Sequence, residues 1–152
     1  MKKIAFGCDP NAEELKQLMI ERCRQMGYET VDFGSPDPIY ASTAIQVAEF
    51  VASGRADKGV LVCGTGIGVS ISANKVRGAY AALISDVYSA QRAALSNNTN
   101  IACFGVFTLG PKLAVTLLET WLGLEFDPAS ASAPKVARIK RYEAESHRSE
   151  CN

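Results

Sequence analysis

The apolar run Val60-Leu61-Val62 passes directly into Cys63-Gly64-Thr65-Gly66-Ile67-Gly68, and a stretch of small residues follows as far as Lys75. Consecutive β-formers without polar alternation are expected of a strand covered on both faces, which requires helices on both sides of a parallel sheet. The rest of the chain repeats that alternation. Strands are expected at Lys3–Phe6, Thr30–Phe33, Gly59–Val62, Ala79–Leu83 and Ile101–Phe104. Helices are expected at Ala12–Met26, Tyr40–Ser53, Val69–Lys75, Val87–Leu95 and Pro111–Leu122, with Gly27 and Gly54 as C-terminal stops for the first two. The fold class is therefore α/β, a three-layer α/β/α sandwich on a five-stranded parallel sheet. Residues 1–126 form one domain, of a size that can bury well over half of its unfolded surface. Asp127–Pro134 reads as a small-residue linker, Lys135–Glu145 as a charged C-terminal helix packing on the same domain or on a partner subunit, and Ser146–Asn152 as a frayed end.

The turn after Val62 has the layout of a reactive site. Its three glycines let the backbone turn sharply and bring bare N–H groups to a ligand. The start of the following helix would gather negative charge and stabilise a Cys63 thiolate. Two nucleotide readings fail. The glycine spacing is not G-x-G-x-x-G and follows the third strand instead of the first, while a Walker loop would need Lys directly before Ser or Thr at the helix start. The remaining alternative is a glycine turn around a buried, inert cysteine, since free Cys is often a small core hydrophobe.

Ligands of open parallel sheets collect at the carboxyl ends of the strands. That rule gathers Cys8-Asp9, Cys63-Gly64-Thr65, Ser85-Asp86 and the turn near Gly105 around one crevice. Asp9 and Ser85-Asp86 have an alternative as helix caps, Ser96-Asn97-Asn98 as a helix end, and Cys8 reads as packing.

Formal net charge is zero with both signs intermixed, so neither a nucleic acid nor a membrane surface is indicated as a partner. No apolar run approaches membrane-spanning length and the N-terminus lacks a signal-peptide stretch, so a cytoplasmic location is expected. The cysteines, Cys8, Cys23, Cys63, Cys103 and Cys151, are odd in number with no C-x-x-C pair. They are read as reduced thiols, without a disulfide framework or a zinc site.

Several separate blocks together resemble the ribose-5-phosphate isomerase B and galactose-6-phosphate isomerase family: Met1 to Asp9, Val60 to Lys75, Tyr88-Ser-Ala-Gln91, Ser96-Asn-Asn-Thr-Asn100, and Phe104-Gly105 with Leu109-Gly110. The resemblance covers nearly the whole chain and implies a Rossmann-like sandwich, working as a homodimer or tetramer with its sites at the subunit interface. It also implies aldose–ketose isomerisation through an enediolate, with no organic cofactor or metal. By resemblance Cys63 is the base and Thr65 assists proton movement on the oxygens. The amides of Gly66, Ile67 and Gly68 hold the oxyanion, Asp9 and Asn97 bind sugar hydroxyls, and Gly64 and Tyr40 line the pocket, with Asn97 available to a neighbouring subunit's site.

The departures bear on substrate. Pentose phosphate isomerases of this family carry a histidine after the first-strand aspartate and another, which helps open the sugar ring, at the position of Ser96; here Pro10 and Ser96 stand there, and His147 is the only histidine. Arg92-Ala-Ala-Leu-Ser-Asn-Asn98 and Asp37-Pro-Ile-Tyr-Ala41 resemble instead the branch acting on erythrulose 4-phosphate, a four-carbon ketose that cannot close a stable ring. At the family's phosphate arginines the chain has Phe107, Ala131 and Lys135, with Arg138 as a substitute. The leading reading is an isomerase of a tetrose 4-phosphate. Ribose 5-phosphate, an unphosphorylated sugar, and a catalytically silent sugar-binding member are the alternatives.

Overall fold

The computed structural model describes residues 1–149. Five strands, β1 (Lys3–Cys8), β2 (Glu29–Asp32), β3 (Lys58–Cys63), β4 (Ala81–Leu83) and β5 (Ile101–Gly105), form one parallel sheet in the order β2-β1-β3-β5-β4. The helices are α1 (Glu13–Gln25), α2 (Tyr40–Ala52), α3 (Ile67–Asn74), α4 (Val87–Leu95), α5 (Pro111–Leu122) and α6 (Ala133–Ser149). Every expected element up to α5 is present, with shifted ends.

Both faces of the sheet are apolar, which explains the unbroken hydrophobic runs. Ile4, Phe6, Val60, Val62, Ala102 and Phe104 pack under α1, α4 and α5, whereas Ala5, Leu61, Cys63, Ile101 and Cys103 pack under α2 and α3. Burying a Leu, Ile or Phe side chain stabilises by roughly 1.5–3 kcal/mol, so a slip of one residue that moved Phe6 or Phe104 onto the face built for Ala44, Ala48 and Ala73 would lose packing on both sides.

β1 and β3 extend to Cys8 and Cys63 because Cys8 pairs with Val62 and the Asp9 amide donates to the Val62 carbonyl at 2.9 Å. Asp9 therefore stands level with Cys63. β4 starts later than expected, at Ala81. The Asn100 side chain takes the Tyr80 amide (2.7 Å) and the Gly78 carbonyl (2.8 Å), removing those groups from the ladder. β4 is an edge strand, and the Asn74 side chain pairs with both the N–H and the C=O of Ala81 (2.8 and 2.9 Å), covering part of that edge.

The C-terminal segment differs from expectation. Helix α6 begins at Ala133, since proline is tolerated in a first helical turn and Pro134 does not end the linker as expected. It runs on to Ser149, so Ser146–Ser149 is helical; residues 150–152, the rest of the expected frayed end, lie outside the described residues. Glu143 fastens α6 to its own chain, accepting from the Gly78 amide at 2.9 Å and the Tyr80 hydroxyl at 2.7 Å. Among the described residues no helix is long and apolar enough to cross a membrane.

Candidate active site

β1 is the point where the chain's connections change direction, with β2 on one side and β3 on the other. Open parallel sheets place their crevice at such a point, outside the carboxyl ends. A crevice of about 330 Å³ lies there, lined by Asp9, Asn11, Tyr40, Cys63, Gly64, Thr65, Gly68 and Phe107. Two larger hollows, about 460 Å³ each, lie between α1 and α5 and between α3 and α6, but neither is lined by a cysteine or by any part of the Cys63 turn.

Cys63 ends β3 and is 5% exposed. Its Sγ accepts a hydrogen bond from the Gly66 amide at 3.1 Å, an arrangement complementary to negative charge on sulfur. Gly66 can present that amide because its φ is 78°, a left-handed conformation that strains any residue with a Cβ. Thr65 is exposed, and its Oγ1 accepts from the Ile67 amide at 3.3 Å. Two of the three amides expected to hold an oxyanion, those of Gly66 and Ile67, are thus engaged by Cys63 and Thr65 within the loop, because the first turn of α3 folds back over both side chains.

Tyr40 opens α2 and reaches α3 over Gly68. A Cβ on Gly68 would lie 2.3 Å from the Tyr40 hydroxyl oxygen, so the missing side chain is what admits the ring. Across the turn, the Val106 and Phe107 amides donate to the Cys63 and Gly64 carbonyls, both at 2.9 Å, tying the segment after β5 to the site.

Asp9 both caps and lines. Its Oδ1 accepts from the Asn11 amide at 3.0 Å at the start of the 3-10 turn Pro10–Ala12, while the residue faces the crevice. Behind it lies a charged network. Lys16 is fully buried and its Nζ contacts Asp32 at 2.7 Å and Glu13 at 2.8 Å. Removing an ammonium from water costs several kcal/mol, more than one exposed pair returns, so two carboxylates are needed. Burial opposes the charge on Lys16, but the hydrogen bonds to Asp32 and Glu13 outweigh it and raise its pKa. Burial likewise opposes the charge on Glu13, yet hydrogen bonds from Lys16, Gln17 and Cys8 hold its carboxyl down from 4.5 to about 2. A depressed carboxyl contributes stability that is present above its unfolded pKa and lost as pH falls through the folded one. Glu13→Gln is therefore expected to lower Tm at pH 7, with the variant and parent curves converging between pH 4.5 and about 2; parallel curves in a thermal melt series over that range would contradict this role.

Asn97 and Lys135 do not join the crevice. Asn97 stands on the turn that ends α4, where Asn98 is left-handed (φ 50°), and lines a separate hollow with Asn74, Tyr80, Thr99 and Ile139. Lys135 is exposed in the first turn of α6. Ile67 is 50% exposed and does not line the crevice. Ser85 and Asp86 are not among its lining either. Asp86 is the N-cap of α4, its carboxylate accepting from the Ser89 amide at 2.8 Å and the Ser89 hydroxyl at 2.6 Å, because β5 separates β4 from β3. Asn11 was missed by sequence reasoning; its position just past the first-strand aspartate was the available signal.

The family described as Ribose/Galactose Isomerase matches residues 4–139. The chain is 50% identical over 148 residues to the D-erythrulose-4-phosphate isomerase 2 of Mycolicibacterium smegmatis, covering 93% of this chain and 97% of that one. It is 46% identical over 134 residues to the Ribose-5-P isomerase B of Listeria innocua, covering 86% and 90%. Among solved structures, the type B ribose 5-phosphate isomerase of Trypanosoma cruzi shares the fold with a TM-score of 0.90 at 32% identity, covering 96% of this chain and 99% of that chain.

Proposed function

Because the chain belongs to the ribose/galactose isomerase family and is a sugar-phosphate aldose–ketose isomerase, we propose that its substrate is a tetrose 4-phosphate, interconverted between erythrulose and erythrose forms. The relatives' names carry pentose and tetrose substrates at similar identity, so the choice falls to particular residues. The observation that carries it is the make-up of the crevice: among the described residues its lining holds no histidine, Pro10 opens a turn in which it and Asn11 are exposed, and Ser96 ends α4 beside Arg92.

In this reading Cys63, as thiolate, removes the proton from the carbon beside the carbonyl and returns it to the neighbouring carbon. The electron pair left behind forms the carbon–carbon double bond of an enediolate as the carbonyl pair moves onto oxygen, and reprotonation at the neighbouring carbon restores a carbonyl on the other oxygen. Thr65 moves a proton between the two substrate oxygens, the first-turn amide of Gly68 faces the developing oxyanion, and Asp9 accepts from sugar hydroxyls. Among the described residues the lining contains no Lys or Arg. The phosphate would therefore be met from outside this lining, by Lys135 or Arg138 of a second copy. The same observation favours one second reading, in which an unphosphorylated sugar is accepted alongside the sugar phosphate. Turnover of erythrulose and ribose, each with and without phosphate, separates these readings; rates on free and phosphorylated tetroses that are equal would favour the neutral sugar.

A homodimer with shared sites is part of the proposal. Ile67 and Ile71 on α3 and Leu83 at the end of β4 are 50%, 58% and 40% exposed beside the Cys63 turn, a grouping that suits an interface better than solvent. Asn97, remote from the crevice of its own chain, could then serve another. Mixing Cys63→Ala with Asn97→Ala subunits is expected to restore activity that neither has alone. No recovery, with subunit exchange shown independently, would mean that each chain carries a self-contained site.

A further inference from the structure

The crevice has two chemically different sides. β3 lies between β1 and β5 in the sheet, so the Cys63 turn at its end is flanked by Asp9 and Asn11 on one side and by the segment following β5 on the other. That second side is Phe107, the one wholly apolar side chain that lines the crevice among the described residues. Its ring lies against Gly64, 3.0 Å from where a Cβ there would stand, and its own amide is bonded to the Gly64 carbonyl. The backbone of Phe107 is tied to the turn and one edge of its ring covers Gly64, yet 74% of the residue remains exposed, so its apolar surface is not used to build the core.

We propose that Phe107 is a specificity-determining residue that limits the carbon-chain length of the sugar accepted at the Cys63 turn. A sugar lying across the end of β3 meets acceptors and donors at Asp9 and Asn11 but only an apolar ring opposite. A hydroxyl pressed against that ring loses its water partners and gains none, whereas a C–H face is tolerated. Each added hydroxylated carbon on the Phe107 side is therefore rejected by sterics and by desolvation together. This inference rests on the tetrose reading for which sugar is preferred, but the wall itself is read from a ratio.

The experiment is kcat/KM for erythrulose 4-phosphate and ribose 5-phosphate in the parent, Phe107→Ala and Phe107→Leu. Phe107→Ala is expected to shift the tetrose-to-pentose ratio toward the pentose by roughly tenfold, the low end of what one excess carbon group costs in a fitted pocket, with Phe107→Leu staying near the parent. An unchanged ratio in Phe107→Ala overturns the proposal. So does an equal loss on both sugars accompanied by a change in sedimenting mass, which would make the ring a subunit contact. A parent that prefers ribose 5-phosphate removes the tetrose reading while the ratio still reports on the wall, and the free sugars give the same ratio if phosphate is not required.

Discussion

Cys63→Ala is expected to lower turnover by at least ~10²-fold, the low end of what a positioned general base contributes, while leaving the fold intact. The side chain is small and 5% exposed, and the ladder bonds of β3 use its backbone, so alanine keeps the strand and removes only the sulfur that the Gly66 amide addresses. Near-parental turnover with an unchanged circular dichroism spectrum would remove Cys63 from the proton transfer. The other described thiols provide an internal control. Burial, with a hydrogen bond to Glu13, pushes Cys8 up to about 12, burial alone does the same to Cys23, and burial raises Cys103 as well. Iodoacetamide should therefore reach Cys63 ahead of these three, as read by peptide mapping, and substrate should slow that labelling.

Erythrulose 4-phosphate is expected to exceed ribose 5-phosphate in kcat/KM by roughly 10²–10⁴-fold, the range that a positioned acid–base group supplies to a proton-transfer step such as ring opening. The reason lies in what the two sugars need. A tetrose phosphorylated on its terminal hydroxyl stays in the open carbonyl form, whereas ribose 5-phosphate closes to a furanose through O4 and must be opened, and among the described residues the crevice offers Asp9, Asn11, Tyr40 and Thr65 but no imidazole. The initial rates of both sugars, measured in one assay at matched open-chain concentration as well as at matched total concentration, separate ring opening from isomerisation. If ribose 5-phosphate is better at matched total concentration, Ser96 does not report on substrate choice.

The layered α/β fold was legible because it is written in short-range pattern. Val60-Leu61-Val62 and Ile101-Ala-Cys-Phe104 are apolar on both faces, and only a strand inside a covered parallel sheet makes use of that. Element ends were less legible, because they depend on partners distant in sequence: β4 begins at Ala81 only because Asn100 takes the groups before it.

For the candidate site, the Cys63 turn was legible from the residues alone. A strand, a thiol, a hydroxyl and three glycines lie in one contiguous segment, so no long-range packing was needed to place Cys63 near Thr65. Tertiary structure alone decided what surrounds it. The order of β4 and β5 cannot be read from two short apolar strands, yet it puts Phe107 rather than Ser85-Asp86 beside Cys63. Asp9 stands level with Cys63 through the Cys8 to Val62 register, and Asn97 is held away from both by the end of α4. These placements are set by which strands pair and in what register, a choice made by the packing of whole faces, and no local residue pattern encodes it.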